Sequence, residues 1–314
     1  MTFGFVFPGQ GSQSVGMLAA LAPAAGAESA LRDTFAEASA VLGYDLWKLV
    51  AEGPAERLNS TECTQPAMLA ASIATWRLWR SRGGAEPQVV CGHSLGEFSA
   101  LVAADALDFG AAVALVSFRG RAMQEAVPAG GGAMAAILGL DDAQVIEACR
   151  EAAQGGVVEA VNFNAPGQVV IAGSREPVER AIEGAKSLGA KRAIALPVSV
   201  PAHSSLMQAA AQRLGERLAS VAFRAPRIRF VSAVDAAPHE DPADLRQLLV
   251  RQLSSPVRWS ETVRALAATG IGSVIECGPG KVLTALNRRI ERGLQAMALE
   301  DAESLQAALA AVQA

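Results

Sequence analysis

The segment Gln88-Val89-Val90-Cys91-Gly92-His93-Ser94-Leu95-Gly96-Glu97 decides the fold of this chain. Residues 88–91 predict a short strand, and helical composition resumes over 97–105. Between them, the glycines of Gly92-x-Ser94-x-Gly96 lie two positions on either side of a serine. A strained strand-to-helix turn needs residues without bulk there, so that the serine Oγ projects clear of the backbone. Ser94 is therefore a candidate nucleophile; the alternative is a plain strand-to-helix turn.

An α/β pattern continues on both sides of this turn. Residues 2–7 form an apolar run that predicts a buried strand, stopped by the loop Pro8-Gly9-Gln10-Gly11. A helix is expected to start near Thr64-Gln65-Pro66, with proline in the first turn. The helix over about 109–127 ends at Pro128-Ala129-Gly130-Gly131-Gly132. This flexible composition marks a domain boundary.

The residues after that boundary predict a second, smaller unit. Its elements follow the order βαββαβ, with strands 133–138, 157–163, 168–172 and 191–196 and helices 141–154 and 174–189. This order matches a ferredoxin-like module inserted between two halves of a larger α/β domain. We therefore assign 1–127 and 198–314 to the large core, with a parallel sheet, and 128–197 to the small subdomain.

Composition excludes several classes of protein. The 314 residues are 51% hydrophobic with a formal net charge of −4, which argues against disorder. No apolar run reaches the roughly 18 residues of a membrane span, and the N-terminal apolar run is too short for a signal peptide, so a cytoplasmic location is expected.

Lys+Arg number 27 against Asp+Glu 31, and there is one Tyr, so nucleic acid is a poor partner. The four cysteines are far apart in the sequence and belong to no CxxC motif or Cys/His cluster, so they predict neither a metal site nor disulfides. They are Cys63, Cys91, Cys149 and Cys277.

A serine nucleophile needs a base and an oxyanion donor. The chain has three histidines. His93 adjoins the serine and is expected to be structural, whereas His239 lies in a polar loop and is expected to be solvated. His203 follows a predicted strand at a helix start, where a loop can present a base. The N–H of Leu95 and the following helix dipole point at the space above Ser94 and supply one oxyanion donor.

Arg119 lies in an otherwise apolar helix. Such an arginine is usually a surface residue whose charged end reaches water, but a buried one must pair with an anion. If Arg119 lies beside Ser94, its planar guanidinium suits a substrate carboxylate held by two hydrogen bonds.

Five motifs in this order resemble the malonyl-CoA:acyl-carrier-protein transacylase family over almost the whole chain. They are Phe7-Pro8-Gly9-Gln10-Gly11-Ser12-Gln13, Gly92-His93-Ser94-Leu95-Gly96-Glu97, Arg119-Gly120-Arg121-Ala122-Met123-Gln124, Asn162-Phe163-Asn164-Ala165-Pro166-Gly167-Gln168 and Pro201-Ala202-His203. The resemblance implies an α/β-hydrolase-like core beside a ferredoxin-like subdomain. The chain departs from many relatives at Ala202, where they carry serine, which puts in doubt a fine contact near the acyl group.

The resemblance also implies residue roles. Ser94 would be the acylated nucleophile and His203 its general base, while Arg119 would pair with the malonyl carboxylate. The backbone N–H groups of Gln10 and Leu95 would form the oxyanion hole. The main-chain carbonyl of Gln252, in the stretch Arg251-Gln252-Leu253-Ser254-Ser255-Pro256-Val257, would orient the histidine.

The implied substrates are malonyl-CoA and the phosphopantetheine thiol of acyl carrier protein, with no bound cofactor, no metal and a monomeric enzyme. The reaction would supply fatty acid or polyketide chain elongation. Two alternatives stay open: a serine hydrolase or thioesterase, and a non-catalytic scaffold that binds a carrier protein. Lys191/Arg192 and Arg288/Arg289 are candidate docking residues for an acidic carrier, although exposed basic pairs are usually only solvated.

Overall fold

The computed structural model of the chain describes residues 2–24, 27–128, 130–198 and 200–313. Strands are numbered along the chain as β1 (Phe3–Phe7), β2 (Val89–Gly92), β3 (Gly132–Leu138), β4 (Val158–Ala165), β5 (Gln168–Ser174), β6 (Arg192–Ala195), β7 (Arg229–Val231), β8 (Pro238–His239), β9 (Ser273–Glu276) and β10 (Gln295–Ala298). Helices are α1 (Ala27–Leu42), α2 (Leu46–Glu52), α3 (Ala55–Leu58), α4 (Thr61–Ser81), α5 (Gly96–Ala103), α6 (Phe109–Glu125), α7 (Asp142–Ala153), α8 (Arg175–Ser187), α9 (Gln208–Leu218), α10 (Pro242–Arg251), α11 (Trp259–Ala268), α12 (Val282–Ile290) and α13 (Ala302–Gln313).

The larger sheet has six strands in the order β10-β9-β1-β2-β7-β8. Its strands pair in parallel, except that β8 runs antiparallel to β7. Every residue of β1, β2 and β9 is buried, as expected for a parallel sheet covered by helices on both faces. Because Phe7 is paired with Gly92, the loop after β1 and the turn after β2 leave the same edge of the sheet. This confirms the predicted parallel α/β core.

The smaller sheet has the order β4-β5-β3-β6, with all neighbouring pairs antiparallel. Helices α7 and α8 cover one face, where Val145, Cys149 and Val178 pack against Ile137 and Ile171. The predicted ferredoxin-like βαββαβ order is therefore confirmed. All four strands lie inside the range 128–197, whose boundaries as a separate subdomain stay a prediction.

Strand β4 also contacts the large core directly. The N–H of Phe163 donates to the carbonyl of Val257 at 3.0 Å, and the N–H of Val257 donates to the carbonyl of Val161 at 2.8 Å. The segment that contains Val257, just after residue 252, is thereby hydrogen-bonded to β4 at the edge of the small sheet. The two sheets therefore lie on either side of the candidate site.

Some element boundaries differ from the sequence prediction. The helix expected near Thr64 begins at Thr61, so Pro66 lies inside it and not in its first turn. The helix start is fixed instead by the Ser60 carbonyl, which accepts from the N–H groups of Cys63 and Thr64. The helix expected from 204 is a 3-10 turn, Ser205–Met207, followed by α9. Helices α2 and α3 and the short strand β8 were not anticipated.

Within the described residues, no helix is both long and apolar enough to cross a membrane. The four cysteines are free and buried.

Candidate active site

Ser94 lies in the turn between β2 and α5 with φ 52°, in the left-handed region. A Cβ added at Gly92 would lie 1.9 Å from the carbonyl carbon of Gly96, and one added at Gly96 would lie 2.0 Å from the carbonyl oxygen of Phe7. Neither position has room for a side chain. The turn is therefore the strained elbow expected from the glycine spacing, with α5 packed closely against the end of β1.

His203 is brought to this serine from a distant part of the chain. Its Nε2 lies 2.7 Å from Ser94 Oγ, and its Nδ1 lies 2.8 Å from the main-chain carbonyl oxygen of Gln252. A carbonyl can only accept, so Nδ1 carries the proton and Nε2 is free to accept from the serine hydroxyl. This tautomer is the one a general base requires.

His203 is buried and its backbone has φ 68°. Its N–H donates to the carbonyl of Leu253 at 3.0 Å, which ties the loop to the segment that carries Gln252. Burial is the larger cause and the positive charge of Arg119 the second; together they lower the pKa of His203 to about 3. The imidazole is therefore neutral at neutral pH.

Arg119 projects from α6 into the same place and is only 1% exposed. Its Nη1 donates to Gln65 Oε1 at 2.9 Å, and its Nη2 donates to Gln252 Oε1 at 3.0 Å. Nη2 also lies 3.4 Å from Ser94 Oγ. Burial lowers the pKa of Arg119 to about 10, so the guanidinium stays charged at neutral pH. Arg119 thus lies beside the serine, whereas its neighbour Arg121 is exposed.

A guanidinium carries five N–H donors. Among the described residues, Arg119 makes three hydrogen bonds, all from its two terminal nitrogens, and its Nε has no partner. A buried cation with unfilled donors next to a nucleophile is suited to a substrate that carries a negative charge.

The side chain of Gln252 has contacts that the sequence did not suggest. Its Nε2 donates to the carbonyl of Ser94 at 2.9 Å and to the carboxyl group of Glu97. Glu97 is fully buried and also accepts from Ser232 Oγ at 2.8 Å. Burial raises the pKa of Glu97 to about 7, against the opposing effect of its hydrogen bonds. Gln252 therefore connects Arg119, the elbow and a buried carboxyl group.

Sequence reasoning missed Gln65 and Glu97. The available signal was a polar side chain next to an apolar helical run: Gln65 comes just before Pro66-Ala67-Met68-Leu69, and Glu97 lies in the first turn of the apolar helix α5. A polar residue at a buried helical position must find a partner, which is the physical reason to single it out.

The serine, histidine and arginine line a cavity of about 450 Å³. Gln10 and Leu95 line the same cavity, at the end of β1 and at the start of α5. The first N–H groups of a helix have no intrahelical acceptor, so the N–H of Leu95 is suited to an oxyanion. Asn162 of β4 contributes from the small sheet, and its buried Oδ1 has no partner among the described residues.

The other two histidines are held by other partners, although His93 also lines this cavity. His93 Nε2 is 2.8 Å from Asn164 Oδ1, and its ring packs against Trp259, which agrees with a structural role. His239 is on the edge strand β8 and lies 3.1 Å from Asp235 Oδ1. It is half-buried and bonded to a carboxylate, so the expectation of a solvated loop histidine is wrong in this detail.

The structure keeps one of the two predicted basic pairs together and separates the other. Lys191, Arg192 and Arg289 line one cavity of about 480 Å³. Arg288 instead donates to the carbonyl of Ala296 at 2.9 Å. Among the described residues no group of three or more His, Cys, Asp or Glu side chains could hold a metal ion.

A parallel α/β sheet that presents a serine at an elbow, with a histidine bonded to it and a buried arginine beside it, defines a serine-dependent acyltransferase. The family described as acyl transferase domain matches residues 4–311. A malonyl CoA-acyl carrier protein transacylase of Salmonella typhimurium is 55% identical over 307 residues, which are 98% of each chain.

Solved structures agree. An acyl carrier protein S-malonyltransferase from Vibrio cholerae superposes with a TM-score of 0.94 at 55% identity, covering 98% of this chain and 99% of that one. A malonyl-transacylase solved with its type II PKS acyl-carrier protein has a TM-score of 0.97 at 53% identity, covering 99% of this chain and 100% of that one. The chain belongs to the family of malonyl CoA-acyl carrier protein transacylases.

Proposed function

We propose that this enzyme transfers the malonyl group of malonyl-CoA through a Ser94 ester to the phosphopantetheine thiol of an acyl carrier protein. The observation that carries the proposal is the arrangement at Ser94 Oγ, which lies 2.7 Å from His203 Nε2 and 3.4 Å from Arg119 Nη2. A nucleophile, its base and a buried cation thereby converge on one atom.

In the first half-reaction, Ser94 Oγ attacks the thioester carbonyl while His203 Nε2 takes the hydroxyl proton. The N–H groups of Gln10 and Leu95 hold the oxyanion of the tetrahedral intermediate. When this collapses, the C–S bond breaks and coenzyme A leaves as a thiol with the proton from His203. Arg119 holds the malonyl carboxylate throughout.

In the second half-reaction, the carrier thiol gives its proton to His203 and its sulfur attacks the Ser94 ester. Collapse of the intermediate returns the proton to Ser94 Oγ and releases malonyl-carrier protein. The overall reaction exchanges one thiol for another through a serine ester, so the enzyme must keep water from that ester. The small sheet supports this, because Asn162 and Met134 close one side of the cavity.

The orientation of the base favours this reaction over ester hydrolysis. His203 Nδ1 bonds to the carbonyl of Gln252 and not to an Asp or Glu. A neutral carbonyl fixes the tautomer but stabilises an imidazolium less than a carboxylate does, which suits a reversible transfer between thiols. The buried arginine supplies selection for a charged acyl group, which a general esterase does not need.

The proposed substrates need no bound cofactor, and an acyl carrier protein is the proposed partner. Monomeric state and cytoplasmic location stay predictions.

Intact-mass measurement after mixing with malonyl-CoA, followed by addition of holo carrier protein, tests the proposal. We expect a malonyl increment on the enzyme that moves to the carrier, and no increment on Ser94→Ala. Free malonate without malonyl-carrier protein would indicate a hydrolase. An unmodified wild-type enzyme would indicate a scaffold, and a Ser94→Ala enzyme acylated at another side chain would overturn the assignment of the nucleophile.

A further inference from the structure

The loop that presents His203 is tied to the small sheet by one acidic side chain. Glu159 Oε2 accepts from the backbone N–H of Ser205 at 2.7 Å, and Glu159 Oε1 accepts from Ser205 Oγ at 2.7 Å. Glu159 belongs to β4, and Ser205 begins the 3-10 turn two residues after His203. Both carboxylate oxygens of Glu159 thus accept hydrogen bonds from a single residue of the loop, Ser205.

Such a contact restrains the loop more than one hydrogen bond would. Two acceptors on one carboxylate fix both the position and the rotation of the group they hold, and hydrogen bonds to a charged acceptor are stronger than neutral ones. The contact is partly buried, so water competes less for it than at an exposed pair.

The backbone at His203 needs such a restraint. Its φ of 68° is a conformation that a residue with a side chain rarely adopts and keeps only when surrounding contacts impose it. Within the loop, Ser204 Oγ donates back across His203 to the carbonyl of Pro201 at 2.7 Å. On the C-terminal side of His203, Glu159 hydrogen-bonds the loop to the small sheet. On the N-terminal side, Ala202 packs against the apolar cluster of the small sheet that contains Met134.

The other end of this contact is firmly held. Glu159 pairs with Ala172 in the antiparallel ladder of β4 and β5. The same strand exchanges hydrogen bonds with Val257, in the segment that also contains the Gln252 carbonyl. Strand β4 therefore supports both the loop that carries His203 and the segment that carries its acceptor.

From these contacts we propose that Glu159 is a positioning residue for His203, acting through Ser205 to keep Nε2 within reach of Ser94 Oγ. The proposal rests on the proposed function, in which His203 is the base. In this proposal the small subdomain positions the base, and it also forms one wall of the cavity.

The test compares Glu159→Ala, Glu159→Gln, Ser205→Ala and the double variant Glu159→Ala/Ser205→Ala with wild type. Glu179→Ala is the matched control, because Glu179 is an exposed acid on α8 of the same subdomain. The first readout is the rate of Ser94 malonylation with its dependence on malonyl-CoA concentration. The second is the imidazole resonances of His203 in ¹⁵N-histidine NMR spectra of the resting enzyme, which needs no turnover.

We expect Glu159→Ala to slow maximal malonylation by about tenfold or more, since small displacements of a catalytic group carry costs of this order. The apparent KM for malonyl-CoA should change by less than about twofold, because the contact does not touch the substrate. Glu159→Gln keeps one acceptor and should recover part of the rate. The double variant should be no slower than Glu159→Ala, because Glu159→Ala already removes both hydrogen bonds to Ser205.

The His203 resonances should shift or broaden in Glu159→Ala and stay as in wild type in Glu179→Ala. Unchanged resonances together with a wild-type rate in Glu159→Ala would overturn the proposal. So would effects of Glu159→Ala and Ser205→Ala that simply add, or an equal loss in Glu179→Ala. If Glu159→Ala does not fold, Glu159→Gln gives the same comparison. A wild-type enzyme without malonylation would refute the proposed function, whereas the NMR comparison would still decide the positioning role.

Discussion

Gln252 contacts Arg119 and His203 through different atoms. Its side-chain Oε1 accepts from Arg119 Nη2 at 3.0 Å, while its main-chain carbonyl lies 2.8 Å from His203 Nδ1. One residue therefore fixes both the cation proposed to hold the malonyl carboxylate and the proposed base. The relative position of Arg119 and His203 is therefore set by the short segment that carries Gln252.

Arg119→Ala should separate malonyl transfer from transfer of uncharged acyl groups. A carboxylate that enters a water-poor cavity without a cation costs several kcal/mol, so kcat/KM for malonyl-CoA should fall by about two decades or more. Acetyl-CoA should lose little or gain. Arg119→Lys should recover only part of the loss, because an ammonium cannot reproduce the planar donors. The measurement is kcat/KM for both substrates; an unchanged malonyl-to-acetyl ratio would make Arg119 structural.

Gln252→Ala should retain the main-chain contact to His203, so it should slow malonylation less than His203→Ala does. It should nevertheless weaken folding, because Arg119, Glu97 and the Ser94 carbonyl each lose a partner. An unsatisfied buried group costs about 1–3 kcal/mol. Urea unfolding measures this loss, and the malonyl-to-acetyl ratio should fall with it. A stability equal to wild type would show that these bonds are dispensable.

His203→Ala should slow malonylation by at least about 10²-fold, the usual loss when a general base is removed. His239→Ala is the matched control, because that ring bonds to Asp235 and lines a different cavity from Ser94. Single-turnover rates of the two variants check this expectation. Similar losses from both would count against His203 as the base.

The pH dependence should report an unusually acidic His203. Its pKa is lowered to about 3 by burial and by Arg119, so the base remains unprotonated as the pH falls below the ordinary histidine value of about 6.5. The kcat/KM of malonylation should not decline through that value on account of His203. In Arg119→Ala the nearby positive charge is gone, so the acid limb should move to higher pH. A wild-type limb near 6.5 that is absent from a His203 variant would contradict this expectation.

Charge reversal should distinguish the two arginines that were expected to dock a carrier protein together. Arg289 lines a cavity with Lys191 and Arg192, so Arg289→Glu should raise KM for the acidic carrier, more so at low salt. KM for malonyl-CoA should stay nearly unchanged. Arg217→Glu, an exposed change on α9, controls for net charge. Equal effects of Arg289→Glu on both substrates would argue against docking at this cavity.

The sequence by itself determined the elements and the elbow. Strand and helix periodicity, together with the order βαββαβ, predicted the two sheets. This was possible because the spacing of apolar residues that marks a buried strand or helix is a local property of the chain. Gly92-x-Ser94-x-Gly96 predicted the strained turn in part for the same reason, since the clash that excludes a side chain at Gly92 involves the nearby Gly96. The clash at Gly96 involves the distant Phe7, so it depends on the pairing of β1 with β2. Helix starts were less certain, as at Pro66, because they depend on which carbonyl the first N–H groups find.

Only the tertiary structure decided which polar groups meet. Ser94 and His203 are 109 residues apart, and the Ser94 carbonyl and Gln252 are 158 apart, so packing of the whole core sets their distances. The partners of Gln65, Glu97 and Glu159 have no local pattern, because one buried polar side chain can be satisfied by any donor or acceptor that the fold brings near. The division between Arg288 and Arg289 follows from helix geometry, since adjacent residues on a helix point in different directions.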